Sequence, residues 1–176
     1  MSIVKLNNKA VSNATAFGSI SSLGSMTFIK KLTASGSGTL SFVDGASGVV
    51  LDNSYKEYLF TFKNIHPATN NAKFQFNLST DGGSNYNVTK TTTFFQAYHA
   101  ENNNAAALGY STGNDFQQST SFQNISSEIS SADDAHTSGT MTLFNPSSTT
   151  FAKHFMSRVQ VDNNYYAQDE YMAGYG

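Results

Sequence analysis

A strict alternation of apolar and polar side chains is the feature that most restricts the fold of this sequence. It runs through residues 73–79, and an aromatic-rich run with the same period covers residues 58–63. A period of two places successive side chains on opposite faces of a strand, whereas side chains on one face of a helix recur about every 3.6 residues. The apolar residues that share a face are Tyr58, Phe60 and Phe62 in the first run, and Phe74, Phe76 and Leu78 in the second. We expect the two runs to be neighbouring strands.

Further short extended runs, separated by turns rich in Gly, Asn and Ser, continue this pattern. They cover residues 27–33, 39–43, 86–90, 140–144 and 151–161. The tight connection at residues 145–148 predicts that the last two runs form a hairpin. Residues 95–135 carry a weaker signal, in which Ala105–Leu108 is compatible with one helical turn. About six to nine short strands without sustained helical periodicity predict an all-β fold, an antiparallel β-sandwich of jelly-roll type.

The two ends of the chain lack this regularity. Residues 1–25 are predicted to be an extended N-terminal arm, and residues 26–176 the β-sandwich domain. The arm is polar, with isolated apolar residues that would anchor it by docking on another surface, namely Val11, Phe17, Ile20 and Leu23. Residues 167–176 carry aromatics but no clear final strand, so we expect an exposed aromatic edge. Either the chain continues beyond this sequence and covers that edge, or a neighbouring molecule covers it in an assembly.

Composition excludes several classes of partner and chemistry. Ten Lys and Arg residues against twelve Asp and Glu give a net charge of −2, which is not the basic surface that binds nucleic acid. The absence of cysteine excludes disulfides and thiolate metal sites. No apolar run reaches the length of about 18 residues that a membrane-spanning helix needs, and the N-terminus lacks the apolar core of an export signal. We expect no membrane insertion.

No motif for catalysis or cofactor binding is present. The four histidines, which are His66, His99, His136 and His154, are far apart in the sequence and lack metal-ligand spacing. No nucleophile elbow or phosphate-binding loop occurs, and residues 81–85 resemble a hairpin turn more than a calcium loop. We therefore expect no enzyme activity, no catalytic residue, no metal and no cofactor.

Aromatic residues next to amide side chains are the group that resembles a binding surface. Besides a cluster of tyrosines near the C-terminus, they include Phe94, Phe95, Tyr98, Tyr110 and Phe116. Aromatic rings edged by Asn, Asp and Gln bind sugars, and the candidate contacts with a glycan or a protein partner are Tyr165, Tyr166, Tyr171 and Tyr175. The same rings also suit a core or an interface between subunits, because tyrosine has an apolar ring and a polar tip. The sequence leaves both interpretations open.

Several stretches resemble a domain common in virion proteins of tailed bacteriophages, particularly those of marine cyanophage type. The resemblance lies in residues 55–69, 74–86, 107–110 and 143–150. It implies a non-enzymatic structural protein of the virion, assembled in the host cytoplasm and exposed as a capsid decoration, fibre or tail appendage. Relatives in that family tend to continue with further strands past the equivalent of residues 173–175.

The resemblance also implies partners. They are other virion proteins of the capsid or tail, and further copies of this chain in a homo-oligomer, for which a trimer is a common form in fibres and decorations. The arm at residues 1–25 would then anchor the module on the particle. The alternative is a receptor- or glycan-binding module of a tail fibre that contacts a host surface glycan. A polysaccharide hydrolase is disfavoured because no pair of carboxylates stands out.

Overall fold

The computed structural model describes residues 26–176. The chain divides into two units, Met1–Lys31 and Leu32–Gly176. Of the first unit, residues 26–31 are described, and they form no strand. The apolar arm residues Val11, Phe17, Ile20 and Leu23 lie outside the described residues.

Strands are the regular secondary structure of the second unit, and none of its residues forms a helix. Its eight strands are β1 (Glu57–Ile65), β2 (Ala72–Phe76), β3 (Thr91–Ala100), β4 (Ala106–Tyr110), β5 (Gln123–Ile129), β6 (Thr137–Phe144), β7 (His154–Asp162) and β8 (Tyr166–Tyr175). They form a six-stranded sheet in the order β1-β6-β7-β8-β3-β4 and a two-stranded sheet of β2 and β5. All pairings are antiparallel, which confirms the predicted all-β sandwich.

The core lies between the two sheets. Strands β2 and β5 cover one face of the large sheet, where Phe76 of β2 contacts Phe155 of β7 with ring centroids 5.0 Å apart. Along β7 buried and exposed residues alternate, and every second residue from Phe155 to Val161 is buried against this core. The buried core residues are Phe94, Ile125, Ile129, Met141, Leu143, Phe155, Val159, Val161 and Met172. We call this face of the six-stranded sheet the inner face, and the opposite one the outer face.

The predicted hairpin between residues 140–144 and 151–161 is confirmed. Strands β6 and β7 pair in register from Thr137 with Val161 to Leu143 with Phe155. The connection closes where the Ser148 amide donates to the Asn145 carbonyl oxygen over 3.0 Å. Asn145 adopts a φ of 46°, in the left-handed region that asparagine tolerates better than most residues.

Other predictions are wrong or not confirmed. Residues 27–33, 39–43 and 86–90 form no strand, although Phe42 packs edge-on against Phe60 at 5.5 Å. The jelly-roll arrangement is not confirmed, because the sheets have six and two strands instead of two sets of four. Ala105–Leu108 is not a helical turn, since Ala106–Tyr110 is strand β4. Pairing with β3 outweighs the helix preference of three alanines.

The aromatic runs 58–63 and 73–79 are not paired neighbours. The first lies in β1, which pairs with β6, and the second begins in β2, which pairs with β5. Their apolar faces meet across the core instead, where the rings of Phe62 and Phe74 contact edge to face at 4.8 Å. The apolar faces of β1 and β2 therefore form opposite sides of one core.

The C-terminal run is an inner strand and does not form the expected open edge. Strand β8 pairs with β7 on one side and with β3 on the other, over most of its length. Its inner face carries Gln168 and Glu170 beside Met172, all buried. These polar residues conceal the strand pattern in the sequence.

Candidate functional site: the outer face of the six-stranded sheet

The outer face is defined by the register of the strands. Across its middle, Tyr110 of β4 lies opposite Phe95 of β3, Phe95 opposite Tyr171 of β8, and Tyr171 opposite Arg158 of β7. We call these four residues the aromatic row. Adjacent residues on each strand point to the inner face, so the row is the outward counterpart of core residues such as Phe94 and Met172.

Large apolar side chains are exposed over much of this face. They come from five of the six strands and are Leu59, Phe95, Leu108, Tyr110, Met156 and Tyr175. Leu108 is the most exposed of them, at 74%. Single exposed apolar residues are ordinary, but a set that shares one face of one sheet is typical of an interaction surface.

The aromatic row is a closely packed stack. The rings of Phe95 and Tyr171 are nearly parallel, at 5° and 4.8 Å between centroids. The guanidinium of Arg158 lies 5.0 Å from the Tyr171 ring centre, so it and Phe95 are the two packing neighbours of that ring across the sheet. A sugar stacks on a free ring face, and Tyr171 lacks one in this arrangement.

A bidentate ion pair fixes the arginine. Arg158 donates from Nε and Nη2 to the two carboxylate oxygens of Asp169, over 3.0 and 2.7 Å. The Tyr171 hydroxyl also donates to Asp169, over 3.0 Å. The arginine hydrogen bond is the main cause that holds the pKa of Asp169 below its ordinary value. Because Arg158 is largely exposed, we expect the pair to orient the stack and to contribute little to stability.

The four predicted tyrosines do not form one surface. Tyr165 lies in the turn before β8, and Tyr166 begins that strand and contacts Tyr98 edge to face at 5.4 Å. Tyr171 lies in the aromatic row, and Tyr175 lies at the far end of β8 near His154. Ten residues of strand separate the first from the last by roughly 30 Å. Tyr171 and Tyr175 share the outer face, whereas Tyr165 and Tyr166 lie at the opposite end of β8 from Tyr175.

A shallow depression of about 390 Å³ lies at the Tyr166 end of the outer face. Its lining includes His99, Glu101, His136, Asp162 and Tyr166. The lining residues bring two carboxylates and two imidazoles to this end of the outer face, whereas the ring of Tyr166 packs against Tyr98. Among residues 26–176, no group of three or more His, Asp or Glu residues is arranged to hold a metal ion.

Among residues 26–176, two charged residues are fully buried, and neither lies on the outer face. Lys90 donates from Nζ to Asn77 Oδ1 over 2.5 Å and to the Val88 carbonyl oxygen over 2.7 Å, and burial lowers its pKa to about 8. Glu170 accepts from the Ser127 amide over 2.8 Å, and burial raises its pKa. Each is held by backbone or amide groups, in the manner of a structural residue.

Sequence reasoning identifies the aromatic members of the outer face as candidate contacts, but it misses Leu59, Leu108, Met156 and Arg158. It also does not predict strand β3, in which Phe95 directly follows the buried Phe94. Leu59 and Met156 lie in predicted strands, each next to an aromatic residue that points to the inner face. The alternation within those strands could have identified them, but it does not show that their rows join across the sheet.

Comparisons with protein-family models, with curated proteins and with solved structures gave no match. Within residues 26–176 there is no helix that could cross a membrane.

Proposed function

We propose that this chain is a structural protein of a bacteriophage virion. In this proposal it is a non-enzymatic, exposed module of a capsid decoration, fibre or tail appendage, which assembles through contacts between subunits. The observation that carries the proposal is the outer face of the six-stranded sheet, where apolar side chains from five strands are exposed together. Covering such a face on association releases water from apolar surface, which favours assembly.

The chemistry of the outer face supports a protein partner. Its central stack packs Phe95, Tyr171 and Arg158 against one another, so the surface is preformed and loses little side-chain entropy on binding. Tyr, Met and Arg are the residue types enriched where proteins meet. The resemblance in residues 55–69 and 74–86 supplies the virion as the setting of that contact.

The proposal is tested by asking whether the chain enters particles. In the phage that encodes it, a tagged full chain is expected to co-purify with intact virions through a density gradient. A variant that lacks residues 2–25 is expected to stay in the lysate, because the arm is proposed to be the anchor. Co-purification of the deletion variant at the level of the full chain would contradict the anchoring role.

A glycan-binding module is the second candidate, and the depression at Tyr166 favours it. The carboxylates of Glu101 and Asp162 and the imidazoles of His99 and His136 can accept hydrogen bonds from sugar hydroxyls. On a glycan array we expect binding by the full chain, its loss in Glu101→Ala, and its retention in Tyr175→Ala at the other end of β8. An array without signal, or equal signal from both variants, would exclude this site.

A further inference from the structure

The six-stranded sheet ends in two edge strands of very different character. Strand β1 pairs only with β6, and β4 pairs only with β3. The outer edge of an edge strand carries unpaired backbone N–H and C=O groups, which can pair with another strand. Proteins protect such edges with charges, bulges or covering segments.

Strand β1 has several of these protections. It carries Glu57 and Lys63, both exposed, and its register shifts between Phe62 and Ile65. Charges and an irregular register both oppose pairing with a further strand.

Within residues 26–176, strand β4 shows no charge, bulge or covering segment. Its five residues, Ala-Ala-Leu-Gly-Tyr, include no charge and no proline, and every one of them is exposed. Its register with β3 is continuous from Ala106 to Tyr110. A neutral, apolar edge with a continuous register is suited to pairing with another strand.

The hydrogen bonds that flank β4 show which backbone groups are free. The Ala100 amide donates to the Ala105 carbonyl oxygen, and the Ser111 amide donates to the Phe94 carbonyl oxygen. In an antiparallel pair, hydrogen-bonded positions alternate with positions whose backbone groups point away from the partner strand. Ala105, Ala107, Gly109 and Ser111 therefore face β3. The N–H and C=O groups of Ala106, Leu108 and Tyr110 point outward.

We propose that the β4 edge pairs antiparallel with the β4 edge of a second copy of this chain. The pairing is centred on a two-fold axis at Leu108, which places Leu108 opposite Leu108 and Ala106 opposite Tyr110. It joins the two six-stranded sheets into one continuous sheet. This interface deepens the proposed function, on whose assembly through subunit contacts it rests.

Self-complementarity is the reason for choosing a second copy as the partner. A two-fold axis at Leu108 makes the three outward-facing residues coincide with outward-facing residues of the other strand, so all of their free N–H and C=O groups find partners. The small Ala106 side chain meets the large Tyr110 ring, and no like charges meet within the strand.

Sedimentation velocity of the full chain, across micromolar concentrations, tests the pairing. The expected result is a monomer–dimer equilibrium. Leu108→Lys places two ammonium groups at the axis, and Leu108→Pro removes an outward N–H without touching the β3 ladder. Each variant is expected to weaken dimerisation at least about tenfold, which corresponds to about 1.4 kcal/mol. The matched control is Leu40→Lys, an exposed leucine outside the strands of the sheet, which is expected to dimerise like the wild type.

Hydrogen exchange separates pairing from other modes of association. In the dimer, the amides of Ala106, Leu108 and Tyr110 are expected to exchange slowly, and dilution to the monomer is expected to release them. A wild-type monomer at all concentrations, a trimer that the Leu108 variants leave intact, or fast exchange at these three amides would each overturn the proposal. Wild-type association by both variants, in a chain that still enters virions, would refute the β4 edge and leave the virion role standing.

Discussion

Replacing Gly139 with alanine is expected to lower the free energy of unfolding by about 3 kcal/mol or more. Gly139 lies in β6 on the inner face, between Phe62 of β1 and Val159 of β7. A Cβ atom there would collide with the Arg158 carbonyl oxygen and lie 2.6 Å from the Val159 Cα atom. Both are backbone atoms of the neighbouring strand, so the β6–β7 ladder has to move. The loss is a large part of the roughly 5–15 kcal/mol that stabilises a typical domain.

Urea denaturation followed by fluorescence measures this loss, and Gly109→Ala is the matched control. Gly109 is also a strand glycine, but nothing lies within 4 Å of a Cβ atom built on it. The control is expected to change stability by no more than about 0.5 kcal/mol. Equal midpoints for the two variants would show that β6 and β7 are not packed as closely as described.

Replacing Glu170 with glutamine is expected to make folding stability less dependent on pH. Glu170 is buried, and burial raises its pKa above the ordinary value of 4.5. The hydrogen bond from Ser127 opposes this rise, Asp169 adds to it, and Lys73 lessens it. Gln96 lies directly opposite on β3, and Gln96 Oε1 and Glu170 Oε1 are both buried without a hydrogen-bond partner. A proton on the carboxyl supplies the donor that these two oxygens lack, and so does an amide.

The sign of the effect follows from the raised pKa. The stability that protonated Glu170 contributes is fully present below pH 4.5 and is lost as the pH rises through the pKa of the folded state. Across that window, the wild type is expected to lose stability relative to Glu170→Gln. The difference between their free energies of unfolding should grow by up to about 1.4 kcal/mol per pH unit. Denaturation curves at several pH values measure the difference. Glu57→Gln, an exposed replacement in β1, is the control and is expected to show no such gain.

Much of the fold could be predicted from the sequence where one face of a strand is apolar and the other polar. Strands β1 and β7 alternate in this way, and both lie where their pattern indicates. Strand β3 has adjacent Phe94 and Phe95, one in the core and one on the outer face, so its pattern is lost. Strand β8 buries Gln168 and Glu170, which a hydrophobic pattern treats as exposed. The predictions of β3 and β8 therefore fail because of an apolar residue on the outer face in the first strand and of buried polar residues in the second.

The candidate site depends on register, which alternation within single strands does not determine. Tyr110, Phe95, Tyr171 and Arg158 are distant in sequence and become neighbours only because β4, β3, β8 and β7 lie side by side. Composition indicated a surplus of aromatics but not their location. The candidate tyrosines are close together in sequence. They are spread along strand β8, however, whose ten residues separate Tyr166 from Tyr175.

The position and copy number of the chain in a reconstruction of the native phage particle test the central claim most directly. The account predicts density for the eight-stranded sandwich at symmetry-related positions on the particle, with the outer face of the six-stranded sheet or the β4 edge covered by a neighbouring subunit. Particles that lack the chain while infected cells contain it, or a chain bound with both surfaces open to solvent, would contradict the account.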